Sequence, residues 1–248
     1  MADRGNPSSM RATGAPSVKQ SSFGQKEQQR QRVRIRFRKI GDLRWIGHRD
    51  LVRAIERVFR RTGVKLVFSE GYHPKPRMTF PSALPLGIEG WNEVAEIVVA
   101  ESIDPAGLLA ALNSNSVEGL EFVEGYQLPP SAPKPQLKSC VYRCTLEPEI
   151  GDRVTSWLRQ YELSSGWPVQ HGPKSQFLDL KQHVYDIFVD EYGLCVTLRP
   201  SELGGPTIRE VLTSLGLSDY EKDGGLIVRA NVLLADEEKA PASGEGPG

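Results

Sequence analysis

The chain has 248 residues, 39% hydrophobic and 25% charged, with 31 Lys and Arg against 31 Asp and Glu and three cysteines. No apolar run approaches the roughly 20 residues that cross a bilayer. The N-terminus lacks the apolar stretch of a secretory signal, and three cysteines make no disulfide framework. The expectation is a soluble cytoplasmic protein with reduced thiols and no membrane partner, of one large or two ordinary domains.

Residues 1–31 and the end "ADEEKAPASGEGPG" hold almost no large apolar residue. They cannot bury enough surface to offset the entropy of ordering, so disordered tails are expected over 1–31 and 236–248. "RVRIRFRKI" alternates strictly: Val33, Ile35 and Phe37 point one way, and Arg34, Arg36 and Arg38 the other, as in a half-buried strand with one basic face. "GHRDLVRAIERVFRRTG" places Leu51, Val52, Ile55, Val58 and Phe59 on one helical stripe and Arg49, Arg53, Arg57 and Arg60 on another, with Gly63 positioned to stop the helix. "VKLVFSE" and "NEVAEIVVAES" read as strands on either side of an irregular, proline-rich stretch. "IDPAGLLAALNSN" reads as a helix capped by Asp104 with Pro105 at its first position, and "LEFVEGYQL" as a strand.

The order β, α, β, β, α, β is that of a ferredoxin-like split βαβ unit. "LPPSAPKPQ" then reads as a proline-rich, semi-rigid linker. The second half repeats the pattern: strand "SCVYRCTLE", helix "DRVTSWLRQYEL", a hairpin pivoting near Tyr192, helix "PTIREVLTSLGL" and strand "GLIVRANVLLA". The predicted fold is α+β, with two ferredoxin-like units packed together. The units span 32–127 and 139–235, joined by a linker over 128–138.

The net charge of zero hides an asymmetry. Residues 32–77 carry fourteen Lys and Arg against Asp42, Asp50, Glu56 and Glu70, a net of +10, whereas residues 78–248 carry a net of −13. A concentrated basic block suggests a polyanionic partner. If helices cover the Val33, Ile35 and Phe37 face, Arg34, Arg36 and Arg38 project from the open face, where a row of cations can contact phosphates. The competing readings are a solvated face and neutralisation by the acidic half. Beyond the strand, Arg49 and Arg53 on the helix and Lys75 and Arg77 in the loop add charge. Tyr72 and His73 offer flat rings between cations, a combination suited to stacking on unpaired bases. The rest of the stretch, residues 81–90, reads as scaffold.

His48 opens the first helix. It suits a general base by its ordinary pKa, but a helix-end residue bonded to nearby backbone is the favoured reading. Cys140 and Cys144 sit roughly 13 Å apart along a strand, too far for one zinc ion. There is no P-loop, no G-x-G-x-x-G and no nucleophile elbow. No cofactor, no metal site and no catalytic residue are therefore expected.

The segment from "RIRFRKI" through "HRDLVRAIERVF", "SEGYHPKPR" and "ALPLG" resembles the radical SAM-linked domain of unknown function, the C-terminal domain associated with cobalamin and radical SAM proteins, here in stand-alone form. The matching residues are Asp50, Leu51 and Arg53, then Ser69, Gly71, Tyr72, His73, Pro74 and Pro76, then Ala83, Leu84, Pro85 and Gly87. Gly47-His48 stands where the family carries Ser-His. The likeness extends, more loosely, over roughly residues 32–235. It implies an accessory module that serves a separately encoded radical SAM protein. Joined to the charge placement, it leads to an expected recognition module for RNA, either tRNA or rRNA. The alternatives are a metal-independent RNA-processing enzyme using His48 and a protein-protein adaptor.

Overall fold

The computed structural model describes residues 30–172, 176–200 and 204–237. Of the tails expected over 1–31 and 236–248, residues 1–29 and 238–248 lie outside the described residues. The first half runs β1 (Gln31–Lys39), a 3₁₀ turn (Gly41–Trp45), α1 (His48–Thr62), β2 (Met78–Thr79), β3 (Glu89–Val99), α2 (Pro105–Ser114) and β4 (Leu120–Leu128). The second runs β5 (Leu137–Cys144), α3 (Pro148–Leu163), a hairpin of β6 (Pro168–His171) and β7 (Gln176–Asp179), a short α4 (Leu180–His183), β8 (Val184–Asp190), β9 (Gly193–Leu198), α5 (Ile208–Ser214) and β10 (Ile227–Leu234). The β6–β7 hairpin and α4 carry no periodic signal long enough to announce them in the sequence.

Local chemistry accounts for the helix ends. Asp104 accepts from the Gly107 N–H at 2.9 Å and caps α2, with Pro105 at the first helical position. Thr207 and Glu210 form a capping box at α5. α1 buries Leu51, Ala54, Ile55, Val58 and Phe59, and its larger side chains contribute about 1.5–3 kcal/mol each on burial. It stops at Gly63, whose φ of 77° favours glycine.

Eight strands form a mixed sheet in the order β4-β1-β3-β10-β5-β9-β8, with β2 also on β3, and β6 and β7 pair as a separate two-stranded sheet. Each half has the order 4-1-3-2 of a split βαβ unit, and the protein is mixed α+β. The halves fuse where β10 runs parallel to the start of β3, pairing Val228 with Glu89 and Arg229 with Gly90. This fusion explains why "VKLVFSE" falls short of a full strand. β10 occupies one end of β3's outer edge, which leaves only the other end for Met78, Thr79 and the Leu66–Val99 bridge.

Directly opposed residues of antiparallel strands share a face. Phe37 opposes Glu93 and Tyr142 opposes Arg229, and Glu93 and Arg229 form a buried ion pair with Arg229 Nε donating at 2.7 Å. The helix-covered face is thus the same one in both halves. Arg229 also donates to Ser82 Oγ at 2.9 Å and Ala83 O at 3.1 Å. Gly87 presses on Trp45, where a Cβ would lie 2.9 Å from the indole at a φ of 82°. The "ALPLG" turn is held in place by these contacts. Two apolar clusters underlie the helices. One is built on Val33, Ile35, Phe37 and α1, the other on β5, β9, α3 and α5. The three cysteines are free and buried, and burial pushes the Cys144 thiol up to about 12.

Candidate nucleic-acid interface

The basic row of β1 projects from the helix-free face, but that face is not open over it. The chain after β10 crosses it. Arg34 Nη2 donates to Glu96 Oε1 at 2.8 Å and to Asp236 Oδ2 at 2.7 Å, and Nη1 reaches Asp236 Oδ1 and Glu237 Oε1, each at 3.2 Å. Arg36 Nη2 donates to Glu237 Oε2 at 2.5 Å and Nη1 to Val232 O at 3.1 Å. Only 2% and 9% of these two side chains is exposed. Arg32 is turned to the linker, donating to Ala132 O at 3.0 Å and Pro133 O at 2.5 Å. Burial works against the Arg34 charge, and the bonds to Asp236, Glu96 and Tyr126 outweigh it and raise its pKa. The bond from Arg34 holds the Asp236 carboxyl below its ordinary value. Burial works against the Glu237 charge, and Arg36 overcomes it and holds that carboxyl low as well.

The expectation of an open arginine face is corrected for Arg34 and Arg36. Intramolecular carboxylates saturate them, and two of those carboxylates lie in a segment expected to be a disordered tail. Arg38 is intermediate, half-buried with a 3.5 Å contact to Glu121. A signal for this exists in the sequence: the acidic run "ADEEK" follows the last strand directly, within the acidic half that balances the basic block.

The remaining predicted cations stay at the surface. α1 buries one stripe and turns Arg49, Arg53, Arg57 and Arg60 outward, all exposed, over about 16 Å of helix from first to last at 1.5 Å per residue. Arg53 touches Asp50 at 3.2 Å, with 72% and 60% of the two side chains exposed, a pair worth little in water. Among the described residues, Arg49, Arg57, Arg60, Lys65, Lys75 and Arg77 form no ion pair, and the last three are also exposed. Arg57 and Arg61 rim a groove floored by Leu43, Ile46, Ala54 and Val58.

Residues 69–75 form a tip at the sheet edge. Ser69 closes its neck, its N–H donating to Lys75 O at 2.8 Å and its Oγ accepting from the Lys75 N–H at 3.0 Å. Gly71, at φ 131°, turns the chain. Tyr72 stands 95% exposed beside His73, ring centroids 5.0 Å apart and edge to face. The chain on either side of the tip meets α1 at its two ends. Gly63 leads straight into residues 64–68, and Phe80, just past the tip, packs edge to face on His48 at 5.1 Å. His48 is the first residue of α1 and half-buried against that ring. Gly47 is the N-cap and supplies no side-chain acceptor.

A family model described as "Uncharacterized protein conserved in bacteria (DUF2344)" matches residues 32–211. The chain belongs to this family. The matched span takes in β1, α1, the tip and all of the first half, and ends inside α5, ahead of β10 and the acidic residues that follow it. No curated protein matches the chain. Among solved structures it is similar to the crystal structure of an unknown protein from Galdieria sulphuraria, at 12% identity and a TM-score of 0.24, over 83% of this chain and 99% of that one. None of the helices among the described residues is long and apolar enough to cross a membrane.

Proposed function

We propose that this member of the DUF2344 family is a recognition module for single-stranded RNA, and that its binding surface is the outer face of α1 together with the tip at residues 69–77. One observation carries the reading. Tyr72, 95% exposed to water, stands on a braced tip that follows α1 in the chain, and on that helix Arg49, Arg57 and Arg60 face outward without carboxylate partners among the described residues. Cations without internal partners release counterions when phosphates approach, and an exposed ring gains stacking area on an unpaired base. Arg49, Arg53, Arg57 and Arg60 supply the charge, Tyr72 and His73 the stacking, and Lys75 and Arg77 a second phosphate contact. Arg34 and Arg36 are left out of the surface because their charge is neutralised.

The motif resemblance supports a place beside a separately encoded radical SAM enzyme, with this chain presenting the RNA. Titration of tRNA and unpaired rRNA fragments at two salt concentrations tests the binding. Affinity should fall with salt, and a Tyr72→Ala or Arg49→Glu/Arg53→Glu chain should bind more weakly while unfolding at the same urea concentration. Salt-insensitive or absent binding defeats the reading. Co-purification of a radical SAM protein that survives nuclease treatment tests the second half separately.

A further inference from the structure

The acidic residues after β10 occupy a site rich in donors, with Glu96 as the other carboxylate of the cluster. With Asp236 and Glu237 in place, their oxygens accept from Arg34 Nη1 and Nη2, Arg36 Nη2, the Tyr126 hydroxyl and the Leu234 N–H. The Tyr126 hydroxyl donates at 3.1 Å and the Leu234 N–H at 3.3 Å. The arginines are oriented by groups other than those two acids. Glu96 holds Arg34 from below, at 2.8 and 3.0 Å, and Val232 O and Asn92 O hold Arg36 at 3.1 and 3.4 Å. The Tyr126 ring lies 5.9 Å from the Arg34 guanidinium. Lifting the two acids therefore leaves a preformed pocket of convergent donors.

The charges make the same point. Arg32, Arg34 and Arg36 face Glu96, Asp236 and Glu237, three cations against three anions. Without Asp236 and Glu237 the cluster carries a surplus of two positive charges, which one phosphate monoester at its ordinary charge of about −2 restores to balance. The two acids also lie farther out than the Arg34 and Glu96 they cover. Their side chains are 28% and 18% exposed, against 2% for Arg34 and 4% for Glu96. Residues 235–237 belong to neither apolar cluster, and their backbone is tied by Ala235 N–H to Gln136 O and Glu237 N–H to Leu234 O. They can lift without opening a core.

We propose that Arg34, Arg36, Tyr126 and the Leu234 N–H form a phosphate-binding site that the chain's own Asp236 and Glu237 close as an internal competitor. A phosphate monoester displaces the acidic strap and takes over its bonds. The site is distinct from the α1 surface, and neither depends on the other.

The test uses the full chain carrying Asp236→Asn and Glu237→Gln, with inorganic phosphate as the probe, read by calorimetry and by the thermal midpoint. The double variant should bind phosphate at least tenfold more tightly than wild type, and adding Arg36→Met should remove the gain. Equal affinity in the wild type and a folded double variant overturns the proposal. If the double variant does not fold in phosphate-free buffer, phosphate should restore cooperative unfolding, and failure to do so overturns it equally. Oligonucleotides with a 5′-phosphate or a 5′-hydroxyl separate the sources. A preference for the phosphorylated strand places the ligand on a nucleic-acid end, and equal binding of the two places it on a free phosphate ester.

Discussion

On β1, Arg34 and Arg36 lie beneath Asp236 and Glu237, with 2% and 9% of their side chains exposed; on α1, the Arg53 side chain is 72% exposed, and Arg49, Arg57 and Arg60 meet no carboxylate among the described residues. Both rows come from the same basic block and obey the periodicity of their element. The strand row faces the side of the sheet that the chain crosses again after β10. The helix row faces outward, and among the described residues its one ion pair is the exposed contact of Arg53 with Asp50. A cation's role is set by what else folds onto its face, and the same residue type serves as interior cement in one place and as free surface charge in the other.

The sharpest way to break this contrast is to remove one charge from each row. Arg34→Met leaves Glu96 and the strap without their shared partner, and stripping one member from a buried ion-pair network should destabilise the fold by about 3–5 kcal/mol. Arg60→Ala should move stability by no more than about 0.5 kcal/mol, since surface changes away from packed features rarely do more. Urea unfolding of both variants checks the pair, and equal losses would abolish the distinction.

The next effect falls on binding alone. Loss of the Tyr72 ring should weaken single-stranded RNA by about 1–3 kcal/mol, the scale of one base stacked on an aromatic, with unchanged urea midpoint. Filter binding and urea unfolding on the same sample separate affinity from fold.

Acid should erase the strap's share of stability. Asp236 is held below its ordinary value by its bond from Arg34, and Glu237 by Arg36 against the opposing effect of burial. Groups with depressed folded values stabilise fully above the unfolded value of about 4, and lose that stability as pH falls through the folded value. Arg34, its pKa raised by its carboxylate partners, stays charged throughout, and burial keeps Tyr126 neutral by raising its pKa. The stability gap between wild type and the Asp236→Asn/Glu237→Gln chain should therefore be complete at pH 6 and close progressively below pH 4 in urea melts.

The smallest effect belongs to the helix that carries the exposed row. Gly47 caps α1 with φ −72° and ψ 166° and has open space where a Cβ would stand. Gly47→Ser should raise the urea-derived stability by a few tenths of a kcal/mol, because serine supplies the missing acceptor.

Much of the fold was legible because it is written in short-range periodicity. The alternation of Val33, Ile35 and Phe37, the apolar stripe of α1, the Asp104 cap and the turn near Tyr192 each state their element without reference to the rest. The exposed half of the candidate surface was legible for the same reason: Arg49 and Arg53 must face outward once Leu51 and Ile55 face in, and the glycine, prolines and charged residues around Tyr72 offer it no apolar partner. The shortness of β2 and the fusion of the two sheets were not legible, and neutralisation of Arg34 and Arg36 was only one of the readings that the charge pattern left open. Each depends on β10 arriving beside β3, nearly two hundred residues after β1, and on which two carboxylates follow it. Alternation says which side of a strand a side chain leaves from. Only the tertiary structure decides whether water or a carboxylate waits there, because that is settled by long-range pairing and by the desolvation that comes with it.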